Sequence, residues 1–106
     1  MLQKNREGLK MTLKNGVQVE LFPIGELADY LGRTTQTVRK WELSGVLPNT
    51  LFRNKRGYRL YTREQIMLIG KTAEETQLMT GRQYSKIKFS KLVKERLSKL
   101  NLKYTT

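Results

Sequence analysis

The cations between residues 51 and 61 are the side chains in this chain whose types and spacing could do chemistry. The segment reads LFRNKRGYRLY and contains four basic residues, two tyrosines, one glycine and no acid. Arginine and lysine form charge-assisted hydrogen bonds to phosphate oxygens, and glycine gives a turn the backbone freedom it needs. The segment is therefore a candidate contact to nucleic acid, and a solvated basic loop is the alternative.

Catalysis and metal binding have no comparable candidates. The sequence contains neither cysteine nor histidine, which excludes disulfides, zinc sites of the Cys/His kind, thiol nucleophiles and histidine general bases. The nine acids stand singly or side by side on predicted helix surfaces, as Glu74 and Glu75 do. We therefore expect no catalytic residue, no metal site, no cofactor and no enzymatic activity.

The overall charge favours a polyanionic partner. The 21 Lys and Arg residues against 9 Asp and Glu give a net charge of +12 over 106 residues, which is the size of one domain. Basic residues concentrate in two zones, 51–63 and 82–103, which suggests two contact surfaces. No segment approaches the roughly 18 apolar residues of a spanning helix, and no signal peptide is visible. We expect a cytoplasmic protein without a membrane partner.

The first part of the chain predicts a β-hairpin over 9–22, after a disordered terminus over 1–8. Apolar and polar residues alternate on both sides of an Asn-Gly pair: Leu9, Met11 and Leu13 precede it, and Val17, Val19 and Leu21 follow it. A three-residue loop, 14–16, pairs Leu13 with Val17 and places both apolar triplets on one face. Gly16 then adopts a positive φ, and the hairpin offers one apolar face to a core.

Two short helices should follow Pro23. The first has an apolar stripe that ends at Gly32: Ile24, Leu27, Ala28 and Leu31. The second begins at the N-cap Thr34 and turns Val38 and Trp41 inward before it ends at Gly45. Two such helices joined by a tight turn form a helix-turn-helix.

The outer face of the second helix carries side chains that can read base edges in a major groove about 12 Å wide. Gln can bond adenine, Arg or Lys can bond guanine or phosphate, and Thr suits either. The candidate residues are Thr34, Thr35, Gln36, Arg39 and Lys40. An ordinary helical hairpin with exposed polar residues is the alternative.

The remaining segments predict a wing and two further helices. The basic segment should form two strands, about Leu51–Arg53 and Tyr58–Tyr61, with Leu60 inward and Arg59 toward solvent or phosphate. A capping box and an apolar stripe predict the next helix: Thr62 with Gln65, then Ile66, Ile69 and Ala73, although Gly70 weakens it. The last helix is basic and amphipathic, with the stripe Phe89, Val93, Leu97 and Leu100, and residues 101–106 should fray. That stripe could cover its own domain, a second copy, the hairpin or another protein.

Several fragments, taken in order, resemble the mercury-resistance-regulator (MerR) family of winged helix-turn-helix proteins. They are IGELADYLG, TVRKWE, GVLP, GYRLYT and REQI, and phage excisionases look similar. The resemblance implies a winged domain over 23–81 with a recognition helix and a DNA-binding wing: Arg53, Lys55, Arg56, Tyr58 and Arg59. It also implies that Arg39 touches the DNA backbone. Trp41 occupies the family's tyrosine position, and we expect it to pack inward.

The chain departs from the family in having only about 30 residues after Thr76, so sensing of a metal, thiol or drug is not expected. The predicted fold is mainly α with a small β component: a winged helix-turn-helix after a β-hairpin and before a basic helix over 82–106.

The predicted function is sequence-specific binding of double-stranded DNA by a bacterial or phage transcriptional regulator. Two alternatives stand beside it: an excisionase-like factor that bends DNA, and an interaction protein that docks on an acidic partner. A homodimer or a protein partner could use the C-terminal helix or the N-terminal hairpin. The expected location is the bacterial cytoplasm or nucleoid.

Overall fold

The computed structural model describes residues 8–78 and 83–106, so most of the predicted disordered terminus lies outside the described residues. The described part contains a four-stranded sheet and four helices, as the predicted mainly α fold requires. In chain order the elements are β1 Leu9–Thr12, β2 Gln18–Pro23, α1 Ile24–Leu31, α2 Thr35–Leu43, β3 Phe52–Arg53, β4 Arg59–Thr62, α3 Arg63–Glu75 and α4 Gln83–Thr105. None of these helices is long and apolar enough to cross a membrane.

The hairpin β1–β2 has the predicted register. Leu9 pairs with Leu21 and Met11 with Val19, and the Leu13 amide donates to the Val17 carbonyl at 2.8 Å. Gly16 has φ +88°, so the three-residue loop is confirmed. β2 continues the sheet by pairing with β4, which gives the antiparallel order β1-β2-β4-β3.

The apolar face of the hairpin is only half covered. Val19 and Leu21 of β2 are buried with Tyr104 of α4. Leu9 and Met11 of β1 are 58% and 43% exposed, so the prediction that the whole face meets a core is wrong for β1. The reason is that β1 forms the edge of the sheet, while the buried cluster forms around β2.

The helices α1 and α2 form the predicted helix-turn-helix around a shared core. α1 ends at Gly32, whose φ of +67° is left-handed, and the Thr34 hydroxyl caps α2 by accepting from the Thr37 amide. Apolar side chains from the sheet and from all four helices pack together beneath α1 and α2. The fully buried ones are Phe22, Leu27, Val38, Ile66, Phe89 and Val93.

Helix α4 belongs to this core. Its stripe residues Phe89, Val93 and Leu97 are buried in the same cluster as the helix-turn-helix, so the stripe covers its own domain. The predicted fraying of residues 101–106 is wrong, because the helix continues to Thr105. Tyr104 Oη lies 3.0 Å from Thr62 Oγ1, and the Asn15 side-chain amide donates to the carbonyls of Lys103 and Thr106 at the end of the chain.

Helix α3 links the sheet to α4. Thr62 and Gln65 form the predicted capping box, and Ile66, Ile69 and Ala73 are buried as predicted. Arg96 and Lys103 of α4 form ion pairs with Glu75 and Glu64 of α3.

Candidate nucleic-acid interface

The outer face of α2 is available to a ligand because its inner residues fix its orientation. Val38 is fully buried and Trp41 is 9% exposed, whereas Gln36, Arg39 and Lys40 are exposed. The helix therefore presents three of the five predicted readers on the side opposite the core.

Trp41 packs inward, as predicted. Its ring lies 6.3 Å from the ring of Phe89 of α4, in a tilted arrangement typical of aromatic pairs. In addition, Ser90 Oγ donates to the Gly45 carbonyl at 3.2 Å, just beyond the end of α2. Helix α4 thus supports α2 from its buried side.

The two predicted threonines are placed differently from the readers. Thr34 Oγ1 accepts from the Thr37 amide at 3.2 Å and lies 3.0 Å from Thr37 Oγ1, so its hydroxyl already has local partners. Thr35 is half-buried in the first turn of α2. Both threonines precede the exposed residues Gln36, Arg39 and Lys40 in the chain, at the start of α2.

The wing consists of β3, β4 and a tight turn; β3 starts one residue later than predicted and ends at Arg53 as predicted, and β4 is shifted by one residue toward the C-terminus. Asn54 shapes the turn, because its Oδ1 accepts from the amides of Arg56 and Tyr58, both at 2.9 Å. Gly57 has φ +82°, which an L side chain would disfavour. The turn exposes Lys55, Arg56 and Tyr58 at the tip of the wing.

The two arginines at the root of the wing, Arg53 and Arg59, contact Glu42 of α2. Arg59 Nε lies 2.5 Å from Glu42 Oε1, and Arg53 Nη2 lies 3.5 Å from the same oxygen. Arg59 was expected to point toward solvent or phosphate; its side chain is only 18% exposed, so it does not face open solvent, and contact with phosphate stays a prediction. The cause is the Glu42 carboxylate, which is 2% exposed and needs a cation beside it.

Glu42 is a residue that the sequence reasoning missed. It stands four residues after the buried Val38, and that helical spacing indicated an inward side chain. Its other oxygen, Oε2, accepts from the Thr50 amide at 2.9 Å. Burial is the larger cause, and the nearby Glu42 carboxylate the second, that raises the pKa of Tyr61 above its usual range, so the Tyr61 phenol stays neutral.

The second basic zone lies on α4. Lysines point outward along most of the helix: Lys88, Lys91, Lys94 and Lys99 are exposed. The zone and the wing thus lie on different elements of the fold, and Lys86 of the zone lines a cleft with Lys40 of α2.

Comparison with protein families identifies the central part of the chain. The family model for the MerR HTH family regulatory protein matches residues 22–77, just over half of the sequence. The match covers the helix-turn-helix, the wing and α3, and leaves out β1 and α4. Comparisons with curated proteins and with solved structures gave no significant match.

The matched family consists of DNA-binding regulators, not enzymes, so double-stranded DNA is the partner it implies. The similarity to phage excisionases stays a prediction. With the match spanning the whole helix-turn-helix and wing, the chain belongs to the MerR helix-turn-helix family of regulatory proteins.

Proposed function

We propose that this chain is a sequence-specific double-stranded DNA-binding protein that regulates transcription, of the bacterial or phage type. The observation that carries the proposal is the arrangement of α2 and the wing. The helix exposes Gln36, Arg39 and Lys40 while Val38 and Trp41 anchor it, and a basic wing is joined to its last turn through Glu42.

Base reading falls to the exposed face of α2. Gln36 can make two bonds to an adenine edge, and Thr35 lies one residue before it in the first turn. Arg39 and Lys40 follow by one turn, where they can hold phosphate or guanine. This division gives the helix both discrimination and orientation on the duplex.

Backbone contact falls to the wing tip. Lys55 and Arg56 are exposed cations on a turn that Asn54 and Gly57 define, and Tyr58 is 62% exposed beside them. Phosphate contacts position a protein without reading sequence. The wing is therefore expected to strengthen binding to all duplexes alike.

The test is affinity for a selected duplex and for random duplex across a salt series. Gln36→Ala should weaken binding to the selected duplex about 5- to 100-fold, the range for one lost bidentate base contact, with little change on random DNA. Arg56→Ala should weaken both and reduce the slope of log K against log salt by about 0.9. Lys10→Ala removes an exposed cation from the hairpin and is the matched control.

Equal wild-type affinity for selected and random duplex at every salt concentration would contradict sequence-specific binding. Mass measurement of the complex would report its stoichiometry. A homodimer would show as paired copies, and the exposed Leu9 and Met11 on the edge strand are where a second hairpin could join.

An acidic protein partner is the second candidate, favoured by the outward lysines of α4. Lys91 and Lys94 are exposed and lie away from the buried stripe. The double variant Lys91→Glu/Lys94→Glu should abolish partner binding and leave discrimination between duplexes intact. Loss of DNA binding with the partner still bound would count against this second candidate.

A further inference from the structure

We infer that Glu42 sets the balance between specific and nonspecific DNA binding by withholding Arg59, and less tightly Arg53, from phosphate. This inference rests on the proposed function and deepens it. It also assigns Glu42 as a positioning residue, because the carboxylate acts on DNA through the wing and α2 and not by contact.

Both oxygens of the Glu42 carboxylate have hydrogen-bond or ion-pair partners. Glu42 Oε1 accepts from Arg59 Nε at 2.5 Å and lies 3.5 Å from Arg53 Nη2, and Oε2 accepts from the Thr50 amide at 2.9 Å. The Glu42 side chain is 2% exposed. A buried carboxylate of this kind persists only with charged and hydrogen-bonding partners, so the arginines are held in return.

The contacts tie three parts of the interface together. Glu42 lies in the last turn of α2, Thr50 precedes β3, and Arg59 opens β4. The Thr50 hydroxyl donates in turn to the Leu60 carbonyl at 2.7 Å, which fixes this link to the sheet. The position of the wing relative to the reading helix is therefore set through one side chain.

The contact with Glu42 also separates the cations of the wing into two groups, those at its root and those at its tip. Arg53 Nη1 donates to the Gly57 carbonyl at 2.8 Å, and although the Arg53 side chain is 44% exposed, it stays in contact with Glu42. Lys55 and Arg56 at the tip are exposed and can reach phosphate without breaking a contact to Glu42. Each phosphate that a cation neutralises adds about 0.9 to the salt slope on duplex DNA, so the two withheld arginines represent up to about 1.8 of slope.

Glu42→Gln is the direct test, because the amide oxygen can still accept from Thr50 but no longer balances the arginines. Affinity for random duplex should rise, and the salt slope should steepen by about 1 to 2 as the arginines reach phosphate. Affinity for the selected duplex should rise less or fall, so discrimination should drop about tenfold, within the range for one lost base contact.

Two further variants separate the effect from general damage. Glu75→Gln breaks an ion pair on a different face, with Arg96 of α4, which keeps its bond to Thr72 Oγ1, and it should leave the random-duplex slope unchanged. Simple destabilisation of Glu42→Gln would lower both affinities by one factor and would not steepen the slope. The melting temperature of each variant, measured without DNA, reports that contribution separately.

Arg59→Gln keeps the inference testable if Glu42→Gln does not fold. The random-duplex slope should stay at the wild-type value in Arg59→Gln but fall by about 0.9 in Arg56→Ala. An equal fall in both variants would identify Arg59 as a phosphate ligand and overturn the inference, as would an unchanged slope in folded Glu42→Gln. These slopes are read on random duplex, so they remain decisive even if the wild type shows no sequence preference.

Discussion

Gly70 should be required for the packing of α1 on α3, although glycine weakens a helix. The residue lies inside α3, and Tyr30 of α1 packs directly on it. A Cβ added at Gly70 would stand 2.5 Å from Cδ2 of Tyr30 and closer still to Cε2. We therefore predict that Gly70→Ala destabilises the protein.

Two opposing effects decide how much Gly70→Ala changes the free energy of unfolding. Replacing glycine by alanine inside a helix ordinarily stabilises by about 1 kcal/mol. Inserting a methyl group into an occupied site costs about 1–3 kcal/mol. The net expectation is a loss of about 0–2 kcal/mol in the wild-type background and a gain of about 1 kcal/mol once Tyr30 is also alanine.

Urea denaturation of the four proteins of this double-mutant cycle gives the coupling free energy directly. The predicted coupling between Gly70→Ala and Tyr30→Ala is about 1–3 kcal/mol. If Gly70→Ala stabilised both backgrounds equally, the tyrosine ring would be shown to move aside at no cost. The assigned role of the glycine would then be wrong.

Three more variants test the supports of the domain. Tyr104→Phe removes the hydroxyl that meets Thr62, and should cost about 1 kcal/mol in urea denaturation; no loss would contradict a role for this hydrogen bond. Gly16→Ala forces a side chain into φ +88° and should cost about 1–2 kcal/mol by the same measurement; a stabilised variant would argue against the left-handed bulge. The hydrogen bond from Arg63 holds the pKa of Glu20 below its ordinary value, so this stabilisation is present at neutral pH and is lost as the pH falls below about 4.5. In Glu20→Gln, the free energy of unfolding should therefore fall less steeply with pH below about 4.5 than in the wild type. The same pH dependence in both proteins would refute the link.

Features set by neighbouring residues were predictable from the sequence. The register of the hairpin followed from one alternating pattern and an Asn-Gly turn, and the structure pairs Leu9 with Leu21 as expected. The caps at Thr34 and Thr62 followed from residue type and spacing. These signals act within a few residues, so the sequence carries them locally.

Features set by distant residues were not predictable in the same way. The end of α4 is held by Asn15 and Thr62, which lie far from it in sequence. The direction of Arg59 depends on Glu42, 17 residues away, and strand alternation alone could not show that the side chain turns from open solvent to this carboxylate. In the candidate site, the sequence therefore identified the cations but not the carboxylate that pairs with two of them, Arg53 and Arg59.

Helix α4 constrains how its own lysines can be studied. The helix lies outside the matched residues, yet Phe89 and Val93 are fully buried in the core beneath α2. Burial of two such side chains contributes about 3–6 kcal/mol, which is a large part of the roughly 5–15 kcal/mol that stabilises an ordinary domain. Removal of residues 83–106 should therefore unfold the helix-turn-helix, and lost DNA binding in that fragment would say nothing about the lysines. Charge reversal on the outward face, at Lys91 and Lys94, leaves the buried stripe intact and so isolates the contribution of the second basic zone.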